Sequence, residues 1–132
     1  MHRKHSTVDG LYAGVPYAYA AVVPAGSTVF TAGACPLDED GHVVAPGDVG
    51  IQARQALANL VAVLRAAGCE PGDVVKTTVF VASAERADLE SAWREVEAVF
   101  GADGPPSTLV GVTVLGWPGQ LFEVEAVAAL GG

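Results

Sequence analysis

The chain has little cysteine and little positive charge. Two cysteines among 132 residues are too few for a disulfide scaffold, and Cys35 and Cys69 lie too far apart for a metal-binding knuckle. A reduced, cytoplasmic setting is the simplest interpretation. Seven Lys and Arg residues stand against 15 Asp and Glu, so the net charge is −8. This balance disfavours nucleic acid and anionic membranes as partners.

Long apolar runs and cofactor motifs are also lacking. No apolar stretch approaches the length needed to span a bilayer, so we expect no membrane partner. The basic residues 1–5 are followed by polar residues, which is not the pattern of a secretory signal. The three histidines show no metal-ligand spacing, and phosphate-loop, dinucleotide and Ser-His-Asp signatures are absent. We therefore expect neither a metal nor a cofactor.

Short apolar runs separated by glycine and proline make up most of the chain. Apolar residues account for 51% of it and charged residues for 17%, which is typical of a globular protein. The length fits one domain over residues 1–132, with 1–10 expected to be mobile. A domain this small and apolar has more hydrophobic surface than its core can hide, which favours a homo-oligomer.

The periodicity predicts the order β-β-α-β-α-β-β. Apolar spacing of three and four predicts helices over residues 49–67 and 88–100. Strands are expected at residues 28–31, 74–82, 108–115 and 121–130, and the turn 38–41 predicts a hairpin into a further strand at 42–44. This order describes an α+β domain with two helices on one face of a mixed sheet. Another copy of the protein is the obvious cover for the opposite face.

The last predicted strand carries two glutamates. Alternation places Phe122, Val124, Ala126 and Ala128 under the helices and turns Glu123 and Glu125 to the opposite face. These carboxylates are either solvated or paired with basic groups of a neighbouring subunit, or one of them carries a proton or holds water.

Alternation in the preceding strand assigns its residues to two faces. The helix side is expected to carry Thr108, Val110, Val112 and Val114, and the side of the glutamates Ser107, Leu109, Gly111 and Thr113. Gly111 marks either a bulge or the close approach of a ligand or another backbone.

Three further side chains have structural interpretations, and Cys35 also has a chemical one. Cys35 lies in a loop after a strand, where a thiol is either reactive or, more commonly, a small buried apolar group. Cys69 follows the first predicted helix and is interpreted as structural. Trp93 is most simply an anchor in the core or at an interface.

Several segments, taken in order, resemble the signatures of the RidA/YjgF family, whose members are also described as L-PSP endoribonucleases. The resemblance begins near Tyr17 and is carried by residues 32–38, 52–60, 66–68, 73–81 and 122–128. It implies a chorismate-mutase-like protomer and a homotrimer whose sheets form a central barrel. It also implies small-molecule clefts at the subunit interfaces and hydrolysis of enamines or imines to a keto acid and ammonia.

The resemblance assigns roles to particular residues. Tyr17 matches a cleft tyrosine, Gly33, Ala34 and Cys35 match a loop whose backbone meets the substrate carboxylate, and Glu123 matches a water-holding glutamate. Ser107 stands where the family has an arginine that pairs with that carboxylate. Trp93 stands where imine-hydrolysing members often have an asparagine.

The serine in place of the arginine changes the function that we expect. A serine hydroxyl offers one neutral hydrogen bond where arginine offers two charge-assisted ones, which argues against ordinary 2-imino acid deaminase activity. We expect a narrower, more apolar pocket and an enamine/imine deaminase-type hydrolase with another substrate. The alternative is a noncatalytic trimer that binds a small metabolite or regulates. A ribonuclease is the weakest hypothesis, because the net charge would repel RNA.

Overall fold

A computed structural model of the protein describes residues 3–9 and 13–130. The elements follow in chain order and are numbered here as they occur: β1 Arg3–His5, β2 Ala20–Val22, β3 Ser27–Phe30, α1 Val49–Ala66, β4 Val74–Val81, α2 Arg86–Phe100, β5 Ser107–Gly111 and β6 Phe122–Leu130. A single 3-10 turn, Pro71–Asp73, precedes β4. Within the described ranges, neither helix combines the length and the apolar character that crossing a membrane requires.

Local capping explains the bounds of α1. The Asp48 carboxylate accepts a hydrogen bond of 3.0 Å from the backbone N–H of Ile51, which satisfies one of the free donors in the first turn. The helix ends at Ala66, and Gly68 then adopts a φ of +89°, a conformation that glycine reaches at little cost. Leucines and alanines spaced three and four apart make one side of α1 fully buried.

The main sheet has the strand order β3-β6-β4-β5. β6 runs antiparallel to both β3 and β4, whereas β4 and β5 are parallel and connected through α2. A parallel pair needs such a crossover, and a helix commonly provides it. A second, two-stranded sheet joins β1 to β2. The α+β class and the mixed sheet are therefore confirmed.

The core lies between the helices and one face of the main sheet. The β6 residues expected on the helix side are all buried, and they pack with apolar residues of α1 and β4. Glu123 and Glu125 alternate with them on the other face and are partly buried. The face assignment in β6 is confirmed, because the continuous apolar set there fits only the side that the helices cover.

The sequence prediction was wrong about one whole strand and about the end of another. Residues 42–44 form no strand: the turn is present, since the Gly41 N–H donates to the Asp38 carbonyl, but only an isolated bridge joins Leu37 to Val43. β5 ends at Gly111, so residues 112–115 are not part of it. In both places a β-rich composition is present, but the pairing is short. Val43 has a single bridge, and beyond Gly111 the Val112 N–H still donates to the carbonyl of Val81, where β4 ends.

The first segment of the chain contains an element that was not predicted. β1 pairs with β2 at Arg3–Val22 through His5–Ala20, and the Lys4 ammonium donates to the Asp103 carbonyl at 3.0 Å. Residues 1, 2 and 10 of the segment expected to be mobile lie outside the described residues. The mobility of 1–10 stays a prediction.

The face assignment in β5 was wrong. Thr77 lies beside Ser107 and Val79 beside Leu109 in the parallel register, so these pairs share a face. Thr77 and Val79 are fully buried beneath the helices. Ser107, Leu109 and Gly111 therefore face the helices, and Thr108 and Val110 lie on the face of the glutamates. Alternation shows only which residues share a face. The register against the neighbouring strand decides which of the two faces lies under the helices.

Candidate functional site

Glu123 lies at the centre of a small group of polar side chains on the outer face of β6. Its carboxylate oxygen Oε1 accepts a hydrogen bond of 3.0 Å from the Gln120 amide and lies 3.4 Å from the Cys35 sulfur, which donates to it. Two neutral donors thus hold one carboxylate oxygen in place. Neither donor is charged, and Glu123 forms no ion pair within the part of the chain that the structure describes.

Gln120 is itself fixed by the loop before β6. It is 3% exposed, and its amide nitrogen also donates to the Phe122 carbonyl at 3.0 Å. Its side-chain oxygen accepts from the Trp117 N–H at 3.1 Å. A buried amide with both ends satisfied is rigid, because breaking either bond would leave an unpaired buried group. Gln120 therefore orients the Glu123 carboxylate.

A second buried amide anchors the same loop to α1. Gln52 is fully buried, and its nitrogen donates to the carbonyls of Gly119 at 3.1 Å and Ala45 at 3.3 Å. Its oxygen accepts from the Leu121 N–H at 2.8 Å. These bonds fix the residues on both sides of Gln120 against the first turn of the helix.

The loop after β3 passes directly over Glu123. Ala34 exchanges backbone hydrogen bonds with Val124, at 2.6 Å as donor and 3.2 Å as acceptor, so both of its backbone groups are used. A Cβ on Gly33 would collide with the Glu123 carboxylate. A side chain at this position would have to displace the carboxylate, so glycine leaves the carboxylate where Gln120 and Cys35 hold it.

Asn59 of α1 fixes the far end of this loop. Its side-chain amide donates to the carbonyls of Cys35 at 2.9 Å and Leu37 at 3.0 Å. Gln55 in turn donates to the Asn59 side-chain oxygen at 3.0 Å. The position of the Cys35 thiol is thus set by a helix rather than by the loop alone.

The Cys35 thiol is poorly suited to nucleophilic chemistry. Burial raises the pKa of Cys35 above its usual value, and the neighbouring Glu123 carboxylate raises it further. The protonated thiol is the weakly nucleophilic form. Cys35 therefore acts as a hydrogen-bond donor to Glu123, which fits the non-nucleophilic interpretation, although the side chain is only partly buried.

Tyr17, Trp93 and Ser107 form a separate group on the helix side of the sheet. The Tyr17 ring packs edge-on against Trp93 with centroids 6.4 Å apart, and both residues line a cavity of about 320 Å³ with Pro16, Ser107 and Leu109. The Thr77 hydroxyl donates to the Ser107 hydroxyl oxygen at 2.7 Å. The cavity is large enough for a small metabolite.

The two groups lie on opposite faces of the sheet in one chain. Ser107 shares a face with Thr77, whereas Glu123 shares a face with Phe80 in the register of β4 and β6. Thr77 and Phe80 are three residues apart on one strand, so their side chains point in opposite directions. Ser107 and Tyr17 therefore cannot meet the Glu123 carboxylate of the same chain.

Three positioning residues were missed by the sequence reasoning. Gln52, Asn59 and Gln120 were not among the residues expected at the site, yet each makes at least two hydrogen bonds that fix its loops. Gln52 and Asn59 occupy positions on α1 that helical spacing alone does not distinguish from surface positions. Gln120 is a single amide between a predicted turn and an apolar strand, and this position is only a weak indication that its side chain is buried and hydrogen-bonded.

Outside these two groups, only one set of described residues has metal-ligand geometry. Asp38, Asp40 and His42 have ligand atoms within 4.8 Å of one another, and all three are exposed. The Asp38 carboxylate already accepts the N–H groups of His42 and Asp40, each at 2.9 Å, and the first of these bonds does most to lower the pKa of Asp38. We interpret this set as a turn.

The close approach of Gly33 to Glu123 yields a prediction. Gly33→Ala should leave the protein folded, because the obstructed group is the end of a flexible side chain, but should displace the carboxylate and reduce any activity that depends on Glu123 by at least about tenfold. Gly72→Ala is the matched control, since a Cβ there meets nothing within 4 Å. Thermal unfolding and turnover of both variants would check this, and equal activities would contradict it.

The fold and the arrangement of these groups define a class of protein. The chain is an α+β protein of the chorismate-mutase-like fold with a carboxylate held over the outer face of its sheet. The family model described as Endoribonuclease L-PSP matches residues 10–130. The chain belongs to the RidA/YjgF family, which confirms the resemblance.

Known proteins of this family are similar over most of the chain. The 2-iminobutanoate/2-iminopropanoate deaminase of Salmonella typhimurium is 40% identical, and the match covers 83% of this chain and 85% of that protein. A Yersinia pestis protein of unknown function from the conserved Rid family superposes with a TM-score of 0.88 at 32% identity, over 98% of each chain. The yjgF gene product of E. coli superposes with a TM-score of 0.69 at 35% identity, over 93% of this chain and 91% of that chain.

Proposed function

We propose that this protein is a homotrimeric enzyme that hydrolyses a small enamine or imine to a carbonyl compound and ammonia. The observation that carries the proposal is the Glu123 carboxylate, which is held by Gln120 and Cys35 beneath a glycine that leaves room for nothing larger. The similarity to a 2-iminobutanoate/2-iminopropanoate deaminase supports the same reaction class.

The proposed chemistry needs a base, a water molecule and a proton on the substrate nitrogen. An enamine first takes a proton on carbon and becomes the iminium form of the imine. Glu123 then accepts a proton from water as the water oxygen bonds to the iminium carbon, which gives a carbinolamine. Glu123 returns this proton to the amine, the C–N bond breaks with its electron pair on nitrogen, and ammonia leaves. The hydroxyl proton passes to solvent and leaves a carbonyl.

The arrangement of the two groups supports an assembly in which each cleft combines two chains. Ser107 and Tyr17 lie on the opposite face of the sheet from Glu123 in one chain. In such an assembly one subunit would provide the carboxylate and its neighbour the cavity. The face that carries the glutamates also exposes apolar side chains: Phe30 is 75% and Val110 37% exposed. Exposed apolar surface of this kind is typical of a subunit interface.

Ser107 determines which substrates this cleft would bind well. It adds no positive charge, and its hydroxyl oxygen already accepts a hydrogen bond from Thr77. A carboxylate next to the reacting carbon would therefore be held weakly, since the charge-assisted bidentate contact that arginine gives is absent. We propose that short 2-imino acids are poor substrates of this enzyme.

Restoring the arginine tests this proposal. In an assay where a dehydratase generates 2-aminoacrylate, the wild-type protein should speed pyruvate release only slightly. Ser107→Arg should raise kcat/KM for this imine by about ten- to a hundredfold, because the cavity beside Ser107 has room for the longer side chain and the guanidinium would pair with the carboxylate.

The control places the same charge elsewhere. Thr113→Arg adds a guanidinium at an exposed position after β5 and should leave the rate of pyruvate release unchanged. Rapid pyruvate release by the wild type, at the rate of Ser107→Arg, would show that the arginine is dispensable and would refute the assigned specificity. Equally slow release by both proteins would refute the pairing of the guanidinium with the substrate carboxylate.

A noncatalytic binding or regulatory trimer is the second candidate function. The observation that favours it is the Thr77–Ser107 hydrogen bond, which already engages the one polar group in place of the arginine. Turnover of any imine that depends on Glu123 would exclude this candidate.

A further inference from the structure

A second, larger cavity adjoins the one beside Ser107. It has a volume of about 470 Å³ and is lined by Arg86, Leu89, Glu90, Trp93, Arg94 and Leu109. Trp93 and Leu109 also line the smaller cavity, so the two spaces meet across these two side chains. The two cavities are therefore neighbours, close enough for one ligand to contact the walls of both. A combined space of this size fits a molecule bigger than a three-carbon imine.

The larger cavity has an apolar floor and a charged rim. Leu89, Trp93 and Leu109 are partly buried and pack against the core, which makes the floor apolar. Arg86 and Arg94 are exposed and stand eight residues apart on α2, two turns along one side of the helix. Such a surface can bind a ligand that has a hydrocarbon body and a charged group at one end: the floor contacts the body, and an arginine contacts the charged group.

The two rim arginines carry charges that the described part of the chain leaves unpaired. Arg54 pairs with Glu95 at 3.0 Å and Arg65 with Glu70 at 3.1 Å, whereas no carboxylate among the described residues lies within 4.0 Å of the guanidinium of Arg86 or Arg94.

Arg94 donates only to the neutral Ser91 hydroxyl, at 3.1 Å. Glu90 lies one turn from each arginine yet forms no ion pair with either. In a chain of net charge −8, two unpaired guanidiniums on one cavity favour an anion.

We infer that the substrate is an amphiphile with an anionic group far from its reacting carbon, bound by Arg86 and Arg94 at that end and by Trp93 and Leu109 along its apolar body. This assignment rests on the proposed function, in which the reacting carbon lies near Ser107. Arg86 and Arg94 line only the larger cavity, and Trp93 and Leu109 stand between it and the cavity beside Ser107. The anion and the reacting carbon are therefore separated by at least the width of these two side chains. The rim arginines thereby replace the carboxylate contact that Ser107 does not make.

The test uses Trp93 as its own reporter. Trp117→Phe removes the other tryptophan of the chain, which is 48% exposed, and leaves Trp93 as the only indole in the protein. Titration with 4-phenylbutyrate should change the Trp93 fluorescence, and the uncharged 4-phenylbutanamide should bind with a Kd about tenfold higher. The difference reflects the charge alone, because the two molecules share one body.

Substitution of the rim arginines should remove this difference. In the Trp117→Phe background, Arg86→Gln and Arg94→Gln together should raise the Kd for 4-phenylbutyrate about tenfold and leave that for the amide unchanged. Arg65→Gln removes the same charge from a guanidinium that is paired with Glu70 and should change neither. Equal affinity for acid and amide, no dependence on the rim arginines, or no fluorescence change up to about 10 mM would each overturn the inference.

The same binding titration separates this inference from the proposed function. Glu123→Gln should lose turnover and keep the arginine-dependent binding. Arginine-dependent binding in a protein that hydrolyses no imine would refute the enzyme while the ligand class stands. Imine hydrolysis without arginine-dependent binding would refute the ligand class alone.

Discussion

Glu123→Gln should lower kcat for imine hydrolysis by at least about a hundredfold, the range that loss of a general base produces. Glutamine has the shape of glutamate, and its side-chain oxygen can still accept the hydrogen bond that Gln120 donates to Glu123. It cannot accept a proton from water. The variant should therefore fold and assemble as the wild type does while the water remains inactive. Steady-state turnover and thermal unfolding of the same preparation would check both parts.

Glu125→Gln is the matched control for this experiment. Glu125 lies two residues along β6 on the same face and pairs in register with Thr78, away from Gln120 and Cys35. Glu125→Gln removes one negative charge from the same face of the sheet and should leave kcat near the wild-type value. Equal losses in both variants would indicate a general effect of charge at the interface, and unchanged turnover in Glu123→Gln would refute its role as the base.

The elements with strong internal periodicity were predictable from the sequence. In β6 the apolar set at every second position has no polar interruption, so only one face can lie under the helices, and the structure confirms this. The two helices were also predicted, with bounds that differ from the observed ones by one or two residues. Burial imposes these patterns on the local sequence, which is why they can be recognised there.

The faces of β5 were not predictable in the same way. Each of its faces would carry one larger apolar residue, Leu109 on one and Val110 on the other, so composition gives no reason to prefer one phase. The parallel register against β4, in which Val79 lies beside Leu109, decides it. That register depends on contacts between strands about 30 residues apart, which no local window contains. The consequence for the site is large, because it moves Ser107 to the opposite face from Glu123.

The side chains around Glu123 could likewise be identified only from the tertiary structure. The resemblance to the family identified the glutamate and the loop at Gly33, but it did not indicate which groups hold them. Gln120 contacts Glu123 three residues away, whereas Asn59 reaches Cys35 across 24 residues and Gln52 reaches Gly119 across 67. Such long-range hydrogen bonds leave no periodic trace in the sequence, since each requires only one amide at one position.

The separation of the two groups on opposite faces leads to an expected result for mixed assemblies. Ser107→Phe should block the cavity of about 320 Å³ that its side chain lines, and Glu123→Gln should remove the base, so each variant alone should be inactive. In a trimer whose clefts each combine two chains, an equal and random mixture of the two variants should regain about a quarter of the wild-type activity. In that quarter of the clefts, an intact Glu123 from one chain faces an intact Ser107 from another.

The comparison that decides between a shared and a single-chain site is made with the double variant. A chain that carries both Glu123→Gln and Ser107→Phe can rescue neither single variant, because it supplies no intact half to a shared cleft. Mixtures should be formed by co-expression, and the activity of each variant alone should be subtracted. If the cleft lay within one chain, every mixture of the two single variants would stay inactive, because each chain would keep its own defect. Regained activity near one quarter therefore requires that Glu123 act across a subunit boundary, as the opposite faces of the sheet demand.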